Sequence, residues 1–224
     1  MQTSDDATAI PKPAGVNDER ITWPQTRALI RSDFERMLSV YGGGSWSRRV
    51  FWFFLPNYQV LFWYRIYRYL FLKGWRNTSR LMFLICMYLT RAEISPESSI
   101  GPACFIGHAF GIILSGKVGA RCSLLAQSGI GGGLEEGEVG GGPGLPVVGD
   151  DVVFGVRSMA LGPIRVGNRV RLGPAAFLNC DAPDDALVIT LPSKVVNAKP
   201  RAPGVPATAD ALRDASLHDG GDVT

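Results

Sequence analysis

The chain has only two histidines among its 224 residues, and this scarcity limits the chemistry open to it. A catalytic zinc held by three histidines cannot be built from them. His218 lies in a stretch rich in Asp, Ala, Pro and Gly without apolar periodicity; residues 197–224 and the similar residues 1–20 are predicted to be disordered tails. His108 is therefore the candidate for acid–base chemistry, because the ordinary pKa of imidazole lies near neutral pH.

Cysteine is also scarce, with four residues in the chain. Cys104 and Cys122 are eighteen residues apart and are predicted to be small core residues. Cys86 and Cys180 have no partner at the spacing of metal ligands, so no metal site is expected. Four cysteines without an evident pairing fit a reduced, cytoplasmic setting.

Acidic residues are missing from positions 36–92, which carry nine Arg and Lys residues and sixteen of the 22 aromatic residues. This combination is typical of a segment that rests on an anionic membrane surface. Within positions 36–92 the longest uncharged run, residues 50–64, is shorter than a bilayer-spanning helix of about 20 residues. Residues 21–92 are predicted to be helical, and either to lie on the inner face of the cytoplasmic membrane or only to pack within the protein.

A cleavable signal peptide and a nucleic-acid partner are also not expected. The apolar block starts near residue 50 and not at the N-terminus, so a cleavable signal is not predicted. The basic segment is too apolar for a nucleic-acid surface and lacks an RNA-recognition motif, so no nucleic acid is expected as a partner.

What the chain does contain is a six-residue period. Thirteen positions obey it, and eight of them are followed directly by glycine. The positions are Ile94, Ile100, Ile106, Ile112, Val118, Leu124, Ile130, Val148, Phe154, Ala160, Val166, Leu172 and Leu178. This period predicts a parallel β-helix over residues 93–196, with three units per coil and the apolar residues stacked inside.

Other places of the repeat carry their own predictions. The glycines are expected to supply turns with positive φ. The fifth place of each unit, from Ser98 through Phe110 to Ala182, is expected to point inward, because most of its residues are small. Residues 131–147 hold glycines and three glutamates, and are predicted to protrude as a loop that covers a substrate site.

His108 occupies the third place of its unit, which is predicted to project outward from the coil. Glu93 lies fifteen residues earlier, so it is expected at the same edge one layer below. A carboxylate there would orient the imidazole and stabilise its protonated form. An exposed histidine without catalytic function remains an alternative at this stage.

Five motifs resemble the serine acetyltransferase family of hexapeptide acyltransferases, across residues 93–196. They are Glu93-Ile94-Ser95-Pro96, the run from Phe105 to Ile113, Val148-Gly149-Asp150-Asp151-Val152, the run from Leu161 to Asn168, and the run from Leu191 to Val196. The resemblance implies a left-handed β-helix, a homotrimer and acetyl-CoA as the acyl donor. It also implies that His108 and Glu93 are catalytic and that Val156, Pro174 and Lys194 contact CoA.

The chain departs from this family at two positions that serve the acceptor. Gly107 stands where the family has Asp, and Leu145 where it has a second His. The expected activity is therefore O-acetylation of a sugar hydroxyl in exopolysaccharide or capsule biosynthesis. The alternatives are a serine O-acetyltransferase of cysteine biosynthesis and a β-helix that acts as a scaffold without catalysis.

Overall fold

The computed structural model of the chain describes residues 21–132 and 144–190. The predicted tails, most of the predicted loop and Lys194 lie outside these residues.

Four helices occupy the first part of the described chain: α1 (Trp23–Tyr41), α2 (Trp46–Phe54), α3 (Pro56–Leu72) and α4 (Arg76–Thr90). Thr22 and Gln25 form a capping box at the start of α1, in which each side chain accepts from the other residue's main-chain amide. Pro56 opens α3, at a position where a missing amide hydrogen costs nothing. None of these helices, within the described residues, combines the length and hydropathy needed to cross a bilayer.

Fourteen short strands follow in the described residues. They are β1 (Glu93–Ile94), β2 (Ser99–Ile100), β3 (Phe105–Ile106), β4 (Ile113–Leu114), β5 (Lys117–Val118), β6 (Ser123–Leu124), β7 (Gly129–Gly131), β8 (Val147–Val148), β9 (Val153–Phe154), β10 (Met159–Leu161), β11 (Arg165–Val166), β12 (Arg171–Leu172), β13 (Phe177–Leu178) and β14 (Leu187–Val188).

These strands form three parallel sheets. Sheet A has the order β1-β4-β7-β10-β13, sheet B the order β2-β5-β8-β11, and sheet C the order β3-β6-β9-β12-β14. Consecutive strands up to β13 enter the three sheets in turn, so the chain winds into stacked three-sided coils. The helical first region and the parallel sheets confirm the predicted fold class at this level.

The coil interior is a column of apolar side chains that are almost entirely buried. Cys104 and Cys122 lie within it, both unpaired and fully enclosed, which confirms them as core residues. Such a column gains stability only from stacking, because one coil alone leaves its inward residues open above and below.

The predicted reason for the glycines was wrong. The positive φ angles of the coils fall mainly on other residues, such as Ala103, Arg121 and Asp151. Glycine follows the inward residue because adjacent coils approach too closely there for a side chain. A Cβ on Gly101 would lie 2.5 Å from the main-chain carbon of Gly119 in the next coil.

The period also breaks in ways that the sequence did not show, and the first break follows β3. Ile100 pairs with Val118, eighteen residues on, whereas Ile94 pairs with Leu114, twenty residues on. Two extra residues therefore enter the connection between β3 and β4, and Leu114 takes the stacking position that was predicted for Ile112. Phe110, predicted to point inward, is 60% exposed because it lies in this enlarged connection.

A longer insertion separates β7 from β8. Val118 pairs with Val148, thirty residues on. The additional twelve residues equal two complete repeats, so the coil returns in phase after them. Gly144, in the described end of the predicted loop, packs closely against Pro163, since a Cβ on Gly144 would lie 2.7 Å from the Pro163 side chain.

Helix α3 covers the first coil, whose strands form one end of each sheet. Exposed carbonyls at a sheet edge need hydrogen-bond donors. Side chains of α3 are the donors, and main-chain carbonyls of the first coil are the acceptors. Tyr64 donates to Ser98, Tyr67 to Ile94, Arg68 to Pro96, and Arg65 to both Ile100 and Gly101.

A buried ion pair joins two helices to this coil. Asp33 of α1 accepts from Arg65 of α3 at 2.9 Å, and both side chains are almost fully enclosed. The same carboxylate accepts from the main-chain amide of Cys104 at 2.9 Å. Each charge therefore has partners, as burial requires.

Candidate active site

His108 lies in the enlarged connection between β3 and β4. Its side chain is exposed, while the neighbouring Gly107 and Ala109 are buried. This connection passes from sheet C to sheet A, and the corresponding edge of all the stacked coils is called the C–A edge below. Within the described residues, His108 is the one histidine on that edge.

The two extra residues remove His108 from the regular hydrogen-bond ladder of the C–A edge. In later coils the carbonyl two places after the inward residue accepts a hydrogen bond from a main-chain amide of the next coil. The Arg157 amide donates to the Ala126 carbonyl at 2.9 Å, and the Ala175 amide donates to the Val156 carbonyl at 2.8 Å. Beside His108 the amide of Gln127 instead donates to Phe110, at 3.1 Å. The His108 carbonyl is thus outside the ladder, and the Ala109 amide has no preceding coil to donate to, because β3 belongs to the first coil, so the backbone around His108 needs other partners.

Those partners come from the helical region. The Asn57 side chain donates from Nδ2 to the Gly107 carbonyl, and its Oδ1 accepts from the Ala109 amide at 3.2 Å. The Tyr41 hydroxyl donates to the same Gly107 carbonyl at 3.0 Å. Side chains of α1 and α3 thus hold both peptide groups that flank His108. They fix the backbone from which the exposed imidazole extends.

Sequence reasoning missed Asn57 and Tyr41. Asn57 follows Pro56, so the local pattern indicates only a helix start. Its partners lie fifty or more residues away in sequence, at a bulge that the repeat concealed. No local signal identifies such a contact.

Glu93 is exposed on β1, next to the chain that leaves His108. The Glu93 amide donates to the Ile112 carbonyl at 2.8 Å, and the Gly111 amide donates to the Arg91 carbonyl at 2.9 Å. The two backbones are therefore adjacent, although no hydrogen bond or ion pair joins the Glu93 and His108 side chains within the described residues. The role of Glu93 stays a prediction.

The predicted CoA contacts Val156 and Pro174 lie on the C–A edge with His108. All three residues stand two places after paired inward residues of sheet C, which are Ile106, Phe154 and Leu172. Val156 is 39% exposed, and its amide has no acceptor among the described residues. Pro174 is exposed and offers only its carbonyl, which accepts from the Thr190 hydroxyl at 3.5 Å.

The two departures from the family motif leave the site without their charged groups. A Cβ on Gly107 would lie 2.7 Å from Cδ2 of Leu125, so a larger residue there requires Leu125 to move. Leu145 is 51% exposed just before β8. Neither residue can pair with the ammonium or carboxylate of an amino acid.

Covalent catalysis by the core cysteines is disfavoured. Cys104 and Cys122 are enclosed, and burial raises the pKa of both thiols, to about 12 for Cys122. Their thiolates are thus scarce at neutral pH. Within the described ranges, no group of three His, Cys, Asp or Glu side chains is placed to hold a metal ion.

Several serine acetyltransferases are among the known proteins that are similar to this chain. A serine acetyltransferase of Mycobacterium tuberculosis is 31% identical over 156 residues, which make up 69% of this chain and 66% of that protein. The crystal structure of the Neisseria gonorrhoeae serine acetyltransferase has a TM-score of 0.67 and 21% identity, and the match covers 81% of this chain and 70% of that one. A serine acetyltransferase solved in complex with CoA has a TM-score of 0.64 and 20% identity, with 77% and 70% of the two chains covered.

These matches differ in what they support. At 20% and 21% identity, the two structures establish the fold alone. The chain spans slightly less than two thirds of the M. tuberculosis relative. No protein-family profile matches the chain.

Proposed function

Because the chain belongs to the serine acetyltransferase-like family of hexapeptide-repeat acyltransferases, we propose that it transfers an acetyl group from acetyl-CoA to a hydroxyl group. The observation that carries this proposal is the placement of His108. It is the exposed imidazole of a backbone bulge that Asn57 and Tyr41 hold in place, at the beginning of the C–A edge.

His108 acts as the general base in this proposal. One ring nitrogen takes the proton of the acceptor hydroxyl while the hydroxyl oxygen attacks the carbonyl carbon of the thioester. The tetrahedral intermediate then expels the CoA thiolate, which receives that proton from the imidazolium. The products are an O-acetyl ester and free CoA, and no acyl-enzyme forms. Glu93 would orient the ring and stabilise its charged state.

The C–A edge is the proposed path of the donor. The open amide of Val156 can donate to an amide carbonyl of the pantetheine arm, and the Pro174 carbonyl can accept from an amide of the same arm. Arg157, beside Val156, is exposed and bonds to Gln127 at 2.7 Å, so its charge is available to a CoA phosphate. Lys194 would supply a second cation.

The remaining structural features of the family are proposals at the same level. We infer that the three-sided coils have the left-handed sense and that the chain assembles as a homotrimer. The similarity in fold to solved serine acetyltransferases supports the handedness. Sedimentation velocity with the full chain tests the trimer, and a monomer at assay concentration contradicts it.

The acceptor proposed first is L-serine. The relatives named above are serine acetyltransferases, so the comparisons support this alternative better than the sugar acceptor that was expected from the sequence. The test measures CoA release from acetyl-CoA with and without L-serine, and identifies the product by mass spectrometry. Serine-dependent release with O-acetylserine as product supports the proposal.

A second acceptor class is favoured by one specific observation. Gly107 and Leu145 provide no charge at the two positions where the family motif has Asp and His, and a neutral polyhydroxyl acceptor needs none. The same assay with a panel of mono- and oligosaccharides separates the two classes. Calorimetry with CoA separates both from a scaffold, since a scaffold without a donor site binds no CoA.

A further inference from the structure

Helix α4 presents an apolar face that nothing covers in the part of the chain that the structure describes. Its residues recur at helical spacing, and each is between 43% and 76% exposed. They are Leu81, Leu84, Ile85, Tyr88 and Leu89. An apolar stripe of this width on a helix is normally buried against a partner.

The exposed apolar surface continues across a groove onto α2. The groove has a volume of about 320 Å³, and its walls include Phe54, Trp63, Ile85 and Leu89. Phe51 and Phe54 of α2 are 61% and 70% exposed. The two helices and the groove between them are called the α2–α4 face below.

Positive charge accompanies this face. Arg48 and Arg49 lie on α2, Arg76 and Arg80 at the start of α4, and Arg91 directly after its end. All five are exposed, and none forms an ion pair within the described residues. Positions 36–92 contain no acidic residue that could neutralise them.

Two kinds of partner suit an apolar face, and the charge decides between them. A second copy of the chain, docked face to face, would bring two sets of unpaired arginines together, which is unfavourable. An anionic bilayer accepts apolar and aromatic side chains at its acyl boundary and binds arginines at its headgroups. Exposed tryptophans such as Trp46 and Trp75 prefer this interfacial depth.

We propose that the α2–α4 face docks on a lipid bilayer that carries anionic headgroups. The apolar side chains enter the boundary between headgroups and acyl chains, and the arginines contact lipid phosphates. The groove between α2 and α4 receives an acyl segment. This binding needs no substrate, so it succeeds or fails independently of acyl transfer.

Flotation of the full chain with vesicles tests the proposal. Vesicles of phosphatidylcholine containing phosphatidylglycerol should carry the protein, vesicles of phosphatidylcholine alone should carry far less, and added salt should weaken binding. Arg76→Gln with Arg80→Gln should lower the partition coefficient roughly thirtyfold, from the loss of two cations near the surface. Arg165→Gln with Arg171→Gln, two exposed arginines of the coils, is the matched control and should change it little.

The apolar contribution has its own pair of variants. Tyr88→Ser with Leu89→Ser should lower the partition coefficient at least about tenfold. Leu187→Ser with Ile189→Ser, equally exposed on the coils, should leave it unchanged. All four positions are exposed, so the substitutions should leave the melting temperature unchanged. A melting scan of each variant confirms that it is folded.

Three results overturn the proposal: no binding to anionic vesicles, equal binding to neutral ones, or equal loss in the coil variants. Light scattering provides the remaining comparison. If Tyr88→Ser with Leu89→Ser lowers the oligomer mass while the unmodified chain does not bind vesicles, the face belongs to a second copy.

Discussion

Asn57 bonds through one side-chain amide to both peptide groups that flank His108. Nδ2 donates to the Gly107 carbonyl, and Oδ1 accepts from the Ala109 amide at 3.2 Å. Because β3 belongs to the first coil, no preceding coil offers an acceptor to the Ala109 amide, and the Asn57 side chain supplies it instead. The position of the proposed base therefore depends on a helix that is remote in sequence.

Replacing Asn57 by Ala should lower kcat about tenfold or more while the KM for acetyl-CoA changes little, because the imidazole loses its position but the donor site remains. The unfolding free energy should fall by about 1–3 kcal/mol, since the buried Ala109 amide loses its acceptor. Steady-state kinetics and chemical denaturation measure the two effects.

Gln59→Ala is the control for this variant. Gln59 lies on the same helix and its side-chain amide also bonds to a main-chain carbonyl, that of Phe53 at 2.6 Å, away from the C–A edge. It should reduce stability with kcat unchanged. A normal kcat in Asn57→Ala would show that the amide serves the fold alone.

Adjacent coils approach closely at the repeat glycines, so adding a methyl group there should lower the free energy of unfolding. Gly101→Ala should lower the unfolding free energy by about 1–3 kcal/mol, because its Cβ would meet the Gly119 backbone, which cannot rotate away. Gly131→Ala should have little effect, since the nearest atom is Cδ2 of Leu161 at 3.7 Å. Equal denaturation midpoints for the two variants would contradict this explanation of the glycines.

The Asp33–Arg65 pair predicts strong coupling. Asp33→Leu or Arg65→Met alone should cost about 3–5 kcal/mol, because each leaves an uncompensated buried charge. The double variant should cost less than the sum of the two, as measured by a denaturation cycle. Glu35→Gln, which breaks an exposed pair with Arg31, should leave the melting temperature unchanged. Additive losses in the cycle would contradict the assigned pairing.

Charged residues stacked between sheets B and C predict a loss of stability in acid. Arg121 and Arg169 hold the pKa of Asp151 and Asp185 below the ordinary value of 3.8. A carboxyl whose pKa is lowered by folding stabilises the fold above its unfolded pKa, and this contribution disappears as pH falls through the folded pKa. The melting temperature should therefore decline below pH 3.8.

Arg121→Gln with Arg169→Gln should flatten this acid decline in melting scans. Arg157→Gln is the matched control, because Arg157 bonds to the neutral Gln127. Its acid decline should equal that of the unmodified chain. An undiminished decline in the double variant would assign the acid sensitivity to other carboxyls.

The six-residue period predicted the parallel sheets and the buried column, because one inward residue per unit is a repeated and local requirement. It could not locate the bulge beside His108. Ile112 keeps the six-residue spacing and Leu114 does not, yet both are apolar and both are buried, so the period selects Ile112. The bulge becomes visible only through pairing, which sets Leu114 and not Ile112 beside Ile94.

Contacts between segments that are distant in the chain also could not be predicted from the sequence. The pattern of residues 36–92 predicted helices, yet Asn57 and Tyr41 show no local sign that they contact the Gly107 carbonyl. The glycines were predicted at the right places for the wrong reason, since a period does not distinguish a special φ from a close approach.

The most direct test of the central claim is single-variant kinetics at His108. The unmodified chain should acetylate L-serine or, failing that, a sugar of the panel. His108→Ala should lower kcat for the same acceptor by about 10²–10⁴-fold, with CoA binding by calorimetry unchanged. Transfer at the unmodified rate by His108→Ala would contradict the assignment of His108 as the base.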